Sequence, residues 1–216
     1  YAPSLIAIFL AATATKTSIY LMARFVFDVF PNGAAFGQGF IIWVLAPLAA
    51  TAAIVCSLQA LFEKEIRRVL AFSSVAQVGF ILLGLSLATV AGASAGLFYL
   101  AAHALMKMTL FMALGGLTIS LGARRIDELA GVARDAPWSA TAFGVGAASL
   151  AGVPLTLGFL GKWRLIEAAL EAGQVWIVAV LATASLLTLL YVGRMLEAIF
   201  FRPAPAGAQL PQPVGM

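Results

Sequence analysis

The sequence predicts an all-α fold, a polytopic transmembrane helical bundle of six spans in which one helix is discontinuous. Hydrophobic residues make up 62% of the 216 positions and charged residues 10%, with a mean hydropathy of +1.03. A soluble domain carries about a quarter charged residues, so lipid is the solvent that suits this composition. Two further observations support the prediction: the apolar residues form long stretches, and the basic residues between those stretches fall in alternate turns.

The apolar stretches follow one another with short connections. A spanning helix needs about 20 mostly apolar residues, and each stretch is that long. They cover about residues 3–30, 40–62, 69–90, 95–121, 138–170 and 175–201. The fifth is too long for one straight span. The segment that follows, 203–216, is rich in Pro, Gly and Gln and is predicted to be a flexible tail.

The turns differ in charge, which predicts the orientation of the chain. Pro31, Gly92 and Gly173 mark turns without Lys or Arg. The other connections and the chain after the last span carry the basic loop residues, which are Lys64, Arg67, Arg68, Arg124, Arg125, Arg134 and Arg202. Because basic loops remain on the cytoplasmic side, we expect both ends of this chain in the cytoplasm.

Composition also narrows the chemistry. A net charge of +4 from few, scattered basic residues does not form a nucleic-acid-binding patch. With one Cys and one His in the sequence, we predict no internal disulfide, no metal site and no haem, iron–sulfur or other cofactor. The chain begins at Tyr1 without a signal peptide, and we expect it to be the C-terminal part of a longer protein.

Lys16 lies in the middle of the first stretch, about 13 residues, or roughly 20 Å, from either end. A lysine side chain reaches about 6 Å, so this ammonium cannot extend to an interface. A central lysine costs at least ~2.5 kcal/mol on insertion scales, which favours a protonatable site that faces a hydrated interior. The alternative is a buried lysine held by carbonyl groups or a partner acid, without a transport role.

His103 and Lys107 lie near the middle of the fourth stretch, and their i, i+4 spacing puts both on one helix face. Both side chains can gain and lose a proton, and we expect them to act as a relay. The alternative for His103 is a hydrogen-bonded core histidine. Ser73, Ser74 and Gln77 are candidates to line a polar path, or equally to connect helices by hydrogen bonds.

Lys162 follows a glycine- and proline-rich run that explains the excess length of the fifth stretch. The sequence predicts a broken helix with its hinge at Gly152, Pro154, Gly158 and Gly161, because proline removes a backbone donor and glycine permits unusual backbone angles. Transporters place ion sites at such breaks, so we expect Lys162 to be a protonatable site. The alternative is an ordinary proline kink.

The buried lysines have no carboxylate in the same part of the membrane. Several buried cations without acids would be unstable if all were charged. Either some of the lysines are neutral, which suits a relay, or the acids come from missing sequence or a partner subunit. Arg194 and Glu197, near the end of the last span, are interpreted as interface anchors.

Three runs of residues resemble a known family. They are Glu65-Ile-Arg-Arg-Val-Leu-Ala-Phe-Ser-Ser-Val-Ala-Gln-Val-Gly-Phe80, His103-Ala-Leu-Met-Lys107 and Gly152-Val-Pro-Leu-Thr-Leu-Gly-Phe-Leu-Gly-Lys162. In this order they resemble the antiporter-like membrane subunits shared by respiratory complex I, membrane-bound hydrogenases and Mrp-type cation/proton antiporters. The run Ala14-Thr15-Lys16 resembles the D-like branch of Mrp antiporter proteins in particular.

The resemblance implies a domain organisation and a role for each lysine. It makes residues 1–30 the last helix of a first inverted repeat, 39–202 a second five-helix repeat and 203–216 a cytoplasmic tail. It implies that Lys16 bridges two half-channels, that His103 and Lys107 form the central relay and that Lys162 lies on the exit side. The acid–lysine pair of the first repeat is absent from this chain.

The function expected first is therefore a proton-translocating membrane subunit of a multisubunit Na⁺ or K⁺/H⁺ antiporter in a bacterial inner membrane. Its partners would be other membrane subunits, and this chain has no catalytic centre of its own. The alternative is the proton-pumping arm of an NADH:quinone oxidoreductase or a hydrogenase. A non-conducting scaffold is a third possibility, which the cost of burying lysines disfavours.

Overall fold

The computed structural model describes residues 13–24, 41–121 and 125–203, and its regular structure is helical. The α-helices are α1 (Thr15–Arg24), α2 (Ala46–Phe62), α3 (Ile66–Ser86), α4 (Val90–Leu121), α5 (Pro137–Ala151), α6 (Leu157–Glu171) and α7 (Val175–Leu196). π-helical turns at Ile41–Leu45 and Glu197–Phe201 adjoin α2 and α7. The predicted all-α bundle is confirmed. The predicted turn at Pro31, Arg124 and the tail from 204 onwards lie outside the described residues.

Four of the described helical segments are long and apolar enough to cross a membrane. They are Trp43–Phe62, Ile66–Ser86, Val90–Leu117 and Val175–Phe201. The predicted fifth stretch is divided into α5 and α6, which have 15 residues each. Neither is long enough to span a hydrocarbon core of about 30 Å, but the two in succession are. The chain is thus a multi-pass membrane protein whose fifth span is discontinuous.

The central helix of the bundle is α4, which contacts α1, α3, α5 and α6, while α7 packs against α2, α5 and α6. Small residues bring α2 and α3 close together. A Cβ added to Gly79 of α3 would lie 2.7 Å from the Ala49 carbonyl oxygen and 2.8 Å from the Ala53 nitrogen of α2. Such small-residue contacts are how membrane helices gain van der Waals packing, since lipid gives them no hydrophobic reason to associate.

The turn between α2 and α3 meets the connection that follows α4. The Glu63 carboxylate accepts hydrogen bonds from the backbone N–H groups of Lys64 at 2.9 Å and Glu65 at 3.1 Å. These bonds, that of Glu65 foremost, lower the pKa of the Glu63 carboxyl. Arg125 pairs with Glu65 in an antiparallel bridge, and the Ile126 N–H donates to the Lys64 carbonyl at 3.1 Å. Two of the turns that the sequence marks as basic therefore lie together at one end of the bundle.

Candidate functional site

Lys107 is fully buried in α4 and is held by oxygen atoms of α3. Its Nζ donates hydrogen bonds to the Leu70 carbonyl at 2.8 Å and to Ser73 Oγ at 2.5 Å. Within the described ranges it forms no ion pair with a carboxylate. Neutral oxygens hold the amine without the permanent charge that a buried carboxylate partner would demand.

His103 is fully buried one turn before Lys107, on the same face of α4. The predicted spacing thus places the two side chains together, but Lys107 turns to α3 and forms no hydrogen bond with the imidazole. Neither His103 Nδ1 nor His103 Nε2 has a hydrogen-bond partner among the described residues. Buried ring nitrogens without partners are rare, so this histidine differs from an ordinary satisfied core histidine. It has both a donor and an acceptor site for a water molecule or a proton.

Lys16 is buried on α1, which packs against α4. His103 and Lys107 lie on α4, the helix that α1 contacts. The structure thus places three of the four predicted relay residues on two helices in contact.

Lys162 lies in α6, and its side chain reaches back to the C-terminal end of α5. Its side chain is 7% exposed, and its Nζ donates hydrogen bonds to the Leu150 carbonyl at 3.1 Å and the Ala151 carbonyl at 3.0 Å. These are the last carbonyls of α5, where the helix dipole favours a cation. The ammonium also lies 5.4 Å from the centroid of the Phe80 ring, a cation–π contact from α3. A lysine of α6 is therefore bound to the end of the half-helix that precedes it.

The break between α5 and α6 is produced by local capping. Gly152 has φ +89°, and its N–H bonds to the Ser149 carbonyl while the Val153 N–H bonds to the Ala148 carbonyl, both hallmarks of a Schellman stop. The Thr156 hydroxyl accepts a hydrogen bond from the Phe159 N–H and begins α6. Pro154 lies after the stop, in the connection, so glycine rather than proline ends α5.

Gly158 and Gly161 lie within α6 and not in the connection. A Cβ on Gly158 would overlap the Ser149 carbonyl oxygen, and a Cβ on Gly161 would overlap the Tyr99 ring. These glycines permit close packing of α6 on α5 and α4, which is a different task from the hinge that the sequence suggests for them.

The three polar-path candidates differ in their surroundings. Ser73 and Gln77 are fully buried, whereas Ser74 is partly buried. Both serines donate to the Leu70 carbonyl of their own helix, Ser73 at 2.9 Å and Ser74 at 2.8 Å. Gln77 connects three helices, because its Oε1 accepts a hydrogen bond from the Tyr99 hydroxyl of α4 and its Nε2 donates to Thr188 Oγ1 of α7 at 3.5 Å. Gln77 therefore makes the helix-to-helix contact that the sequence allows for it.

Sequence reasoning missed three buried hydroxyl groups of this region, on Tyr99, Thr188 and Tyr191. Tyr99 lies one turn before His103 on the same helix face, and extending the i, i+4 pattern from Lys107 through His103 would have found it. Thr188 and Tyr191 lie on α7 and carry no charge to mark them in an apolar stretch.

The carboxylates nearest in sequence to Lys162 face outward. Glu167 is about half exposed and accepts a hydrogen bond from Trp163 Nε1 at 2.6 Å, and it lines a surface groove of about 470 Å³ together with Arg164 and Glu171. Neither Glu167 nor Glu171 pairs with Lys162. In the part of the chain that the structure describes, no three His, Cys, Asp or Glu side chains come together as metal ligands.

The amino-acid sequence is similar to those of known proteins. The family model described as "NADH:quinone oxidoreductase/Mrp antiporter, TM" matches residues 1–188. The NADH-quinone oxidoreductase subunit N of Desulforudis audaxviator is 38% identical over 215 residues, which are 99% of this chain and 42% of that protein. Subunit N 1 of Solidesulfovibrio magneticus is 34% identical over 222 residues, 99% of this chain and 46% of that protein. The chain thus spans less than half the length of these relatives.

Solved structures give a similar result. The Mrp complex from Dietzia sp. DQ12-45-1b contains a chain that matches with a TM-score of 0.87 and 35% identity, over 94% of this chain and 37% of that one. A chain of the archaeal membrane-bound sulfane sulfur reductase matches with a TM-score of 0.86 and 33% identity, over 96% of this chain and 43% of that one. A chain of respiratory complex I from Thermus thermophilus matches with a TM-score of 0.83 and 27% identity, over 95% of this chain and 43% of that one. The family resemblance predicted from the motifs is confirmed.

Proposed function

Because the chain belongs to the NADH:quinone oxidoreductase/Mrp antiporter transmembrane family, we propose that it is part of a proton-translocating membrane subunit. Protons pass along Lys16, His103, Lys107 and Lys162. The observation that carries the proposal is the burial of Lys107 and Lys162 against carbonyl and hydroxyl oxygens, without an ion pair to any described carboxylate. A lysine fixed for structure alone gains nothing evident from its insertion cost.

The geometry supports a row of groups that share charge. Lys16 lies on α1, which contacts the helix of His103 and Lys107, and like charges there would repel, so a proton that arrives at one of these groups favours release from another. The carbonyls at the end of α5 accept hydrogen bonds from Lys162, which stabilises a proton there.

Redox-driven pumping is the form of the proposal that the curated relatives favour, since their names are NADH-quinone oxidoreductase subunit N. This reverses the order expected from the motifs, in which a cation/proton antiporter came first. The antiporter remains the second candidate because the Mrp complex matches at a TM-score of 0.87 and 35% identity. Both forms use the same membrane module, and the residues of this chain serve either.

The proposal includes a place in a larger assembly. Residues 39–202 form the second five-helix repeat, residues 1–30 the last helix of the first, and 203–216 a cytoplasmic tail. Other membrane subunits are its partners in a bacterial inner membrane, with both ends of this chain in the cytoplasm. The relatives are more than twice as long as this chain, and the part of the full-length protein outside the match is the proposed source of acids for Lys107 and Lys162.

Lysine-to-methionine exchange in the full-length protein within its complex tests the proposal. Lys107→Met and Lys162→Met keep side-chain volume while removing the titratable amine, so each should lower proton translocation at least about tenfold with assembly preserved. Lys64→Met, on an exposed turn, is the matched control and should translocate normally.

Proton uptake by inside-out vesicles, followed with a pH-sensitive dye, gives the rate. Uptake driven by NADH supports the redox form, and uptake driven by a Na⁺ or K⁺ gradient supports the antiporter. Normal rates in both buried-lysine variants would contradict the relay under either form.

A further inference from the structure

A cluster of buried polar side chains adjoins Lys107 and joins α3, α4 and α7. Its members, which we call the hydroxyl cluster, are Ser73, Gln77, Tyr99, Thr188 and Tyr191, and all five side chains are fully buried. The cluster comes from three helices that are distant in sequence, so its assembly is a property of the tertiary fold. Buried polar groups in lipid-embedded bundles are costly unless they are satisfied or used.

Gln77 fixes one part of the hydroxyl cluster. Its carbonyl oxygen is occupied by the Tyr99 hydroxyl, so its amide nitrogen points toward Thr188 Oγ1 at 3.5 Å. The Thr188 hydroxyl itself donates to the Ala184 carbonyl at 2.8 Å. These bonds set the direction of each donor and acceptor in this part of the cluster.

Tyr191 differs from the other members of the cluster. Tyr191 lies one turn after Thr188 on α7, and Ser73 lies one turn before Gln77 on α3, so the Gln77–Thr188 contact brings Tyr191 beside Ser73. The Tyr191 hydroxyl forms no hydrogen bond with any described residue. An unsatisfied buried hydroxyl costs about 1–3 kcal/mol. A phenylalanine would supply the same ring without that cost, so packing gives no reason for the oxygen.

The two ends of the hydroxyl cluster adjoin the two lysines. At one end, Ser73 Oγ accepts the hydrogen bond from Lys107 Nζ. At the other end, Tyr99 packs edge-on against Phe80 with ring centroids 6.0 Å apart, and Lys162 lies over that same Phe80 ring. Gly161, next to Lys162, approaches the Tyr99 ring. The hydroxyl cluster therefore bonds directly to Lys107 and approaches Lys162 through the Tyr99 and Phe80 rings.

We propose that the Tyr191 hydroxyl is a proton-carrying link between Lys107 and Lys162, and that Gln77 and Tyr99 are positioning residues that orient the cluster around it. This inference rests on the proposed function, since it assigns one step of the same relay. The neighbours of Tyr191 are Ser73, which is bonded to Lys107, and the Gln77–Thr188 pair one turn away.

The transfer conserves charge and bonds. The Ser73 hydroxyl, which donates to the Leu70 carbonyl at 2.9 Å, first turns its hydrogen toward the Tyr191 oxygen. The Lys107 ammonium then gives a proton to Ser73 Oγ as Ser73 releases its own hydroxyl proton to the Tyr191 oxygen. Tyr191 then releases its phenolic proton to a water molecule on the Lys162 side. Lys107 is left as a neutral amine and the water becomes hydronium, so one positive charge has moved and each hydroxyl is restored. Rotation of the hydroxyl hydrogens resets the link.

The chemistry of the hydroxyl cluster favours protons over alkali cations. Its oxygens are neutral hydroxyl and amide groups, and it contains no carboxylate. A bound Na⁺ would lie beside Lys107 without an anionic ligand to offset that charge, whereas a proton can be shared along hydroxyl groups. The hydroxyl cluster is thus suited to carry the proton in either a redox-driven pump or a cation/proton antiporter.

Tyr191→Phe in the full-length protein, assembled in its complex, tests the inference. Because the hydroxyl has no hydrogen bond, its removal should leave the melting temperature unchanged or raise it, while proton translocation falls at least about tenfold. Tyr20→Phe, an exposed tyrosine of α1 outside the cluster, is the matched control and should change neither quantity. Translocation by the wild type should show a solvent deuterium isotope effect, and the size of that effect should change in Tyr191→Phe.

Each outcome decides the inference, and the lysine variants separate it from the proposed function. If Lys107→Met abolishes translocation and Tyr191→Phe translocates at the normal rate, the link is wrong and the relay stands. If Tyr191→Phe lowers the melting temperature by several degrees, the hydroxyl is structural and the inference is overturned. If Lys107→Met and Lys162→Met both translocate normally, the proposed function fails first.

Discussion

Buried amines in this protein are stabilised by backbone carbonyls and hydroxyl oxygens instead of carboxylates. Lys107 bonds to the Leu70 carbonyl and Ser73, and Lys162 bonds to the Leu150 and Ala151 carbonyls. A carboxylate partner would lock both ions in the charged state, because breaking a buried pair leaves an uncompensated charge. Neutral partners leave the amine able to gain and lose its proton, which is the property that a relay group requires.

Arg194 shows how a charged side chain stabilises the bundle without a transport role. Its Nη1 donates to the Leu61 carbonyl at 2.5 Å and its Nη2 to the Glu63 carbonyl, so it ties α7 to the end of α2. The sequence suggested an interface anchor, and the structure makes it also a cap for orphan carbonyls. Arg202, by contrast, pairs at the surface with Glu197 and Asp127.

Arg194→Ala should lower the free energy of unfolding by about 1–3 kcal/mol, because buried carbonyls at the end of α2 lose their donors. Arg202→Ala is the control at an exposed position, where ion pairs are screened by water, and its effect should be smaller. Thermal unfolding of the purified complex in detergent gives both values. Equal melting temperatures for Arg194→Ala and the wild type would show that the cap is not needed.

At the scale of elements, the break between α5 and α6 is the feature that positions the site. The Schellman stop at Gly152 exposes the end of α5, and Thr156 begins α6 so that Lys162 returns to that end. The proximity of α6 depends on Gly158, whose missing Cβ leaves room for the Ser149 carbonyl. The Gly158 N–H also donates to Ser149 Oγ at 3.2 Å.

Gly158→Ala should destabilise the fold by about 1–3 kcal/mol and move Lys162 away from the Ala151 carbonyl, since the added methyl overlaps backbone. Gly193→Ala on α7 is the matched control: no described atom lies within 4 Å of its added Cβ, and alanine favours a helix over glycine by up to about 1 kcal/mol. Melting temperatures should fall in the first variant and stay equal or rise in the second. An unchanged melting temperature for Gly158→Ala would mean that α5 and α6 tolerate a wider separation.

At the scale of the whole molecule, the connection between α5 and α6 faces outward. Leu155 is 100% exposed with φ +71°, and Val153 and Pro154 are exposed beside it. With about 22 Å of helix on either side, this connection lies near the middle of the span. Irregular backbone at that depth occurs against protein or water and not against lipid. The exposed connection is therefore a surface that the assembled protein covers or hydrates.

A photo-crosslinking residue, benzoylphenylalanine, at Leu155 should form adducts with protein in the assembled complex, from a neighbouring subunit or from a segment that the longer relatives have outside the match. Leu105, an exposed leucine of the unbroken α4, is the comparison position, because regular helix can face lipid directly. Mass spectrometry of the adducts identifies the covering segment. Predominantly lipid adducts at Leu155 would contradict the argument.

The helices, the interruption at Gly152 and the four basic groups expected at membrane depth can all be predicted from the amino-acid sequence, because span length, glycine and the cost of a buried charge are local properties. The direction in which each amine points depends on the tertiary structure. Lys107 meets Ser73 across 34 residues, and Gln77 meets Thr188 across 111. The unpartnered nitrogens of His103 and the unpartnered hydroxyl of Tyr191 likewise depend on which helices pack together. Hydrogen-bond partners contributed by distant helices leave no periodic signal in the sequence, so the link between the lysines becomes visible only once the bundle is assembled.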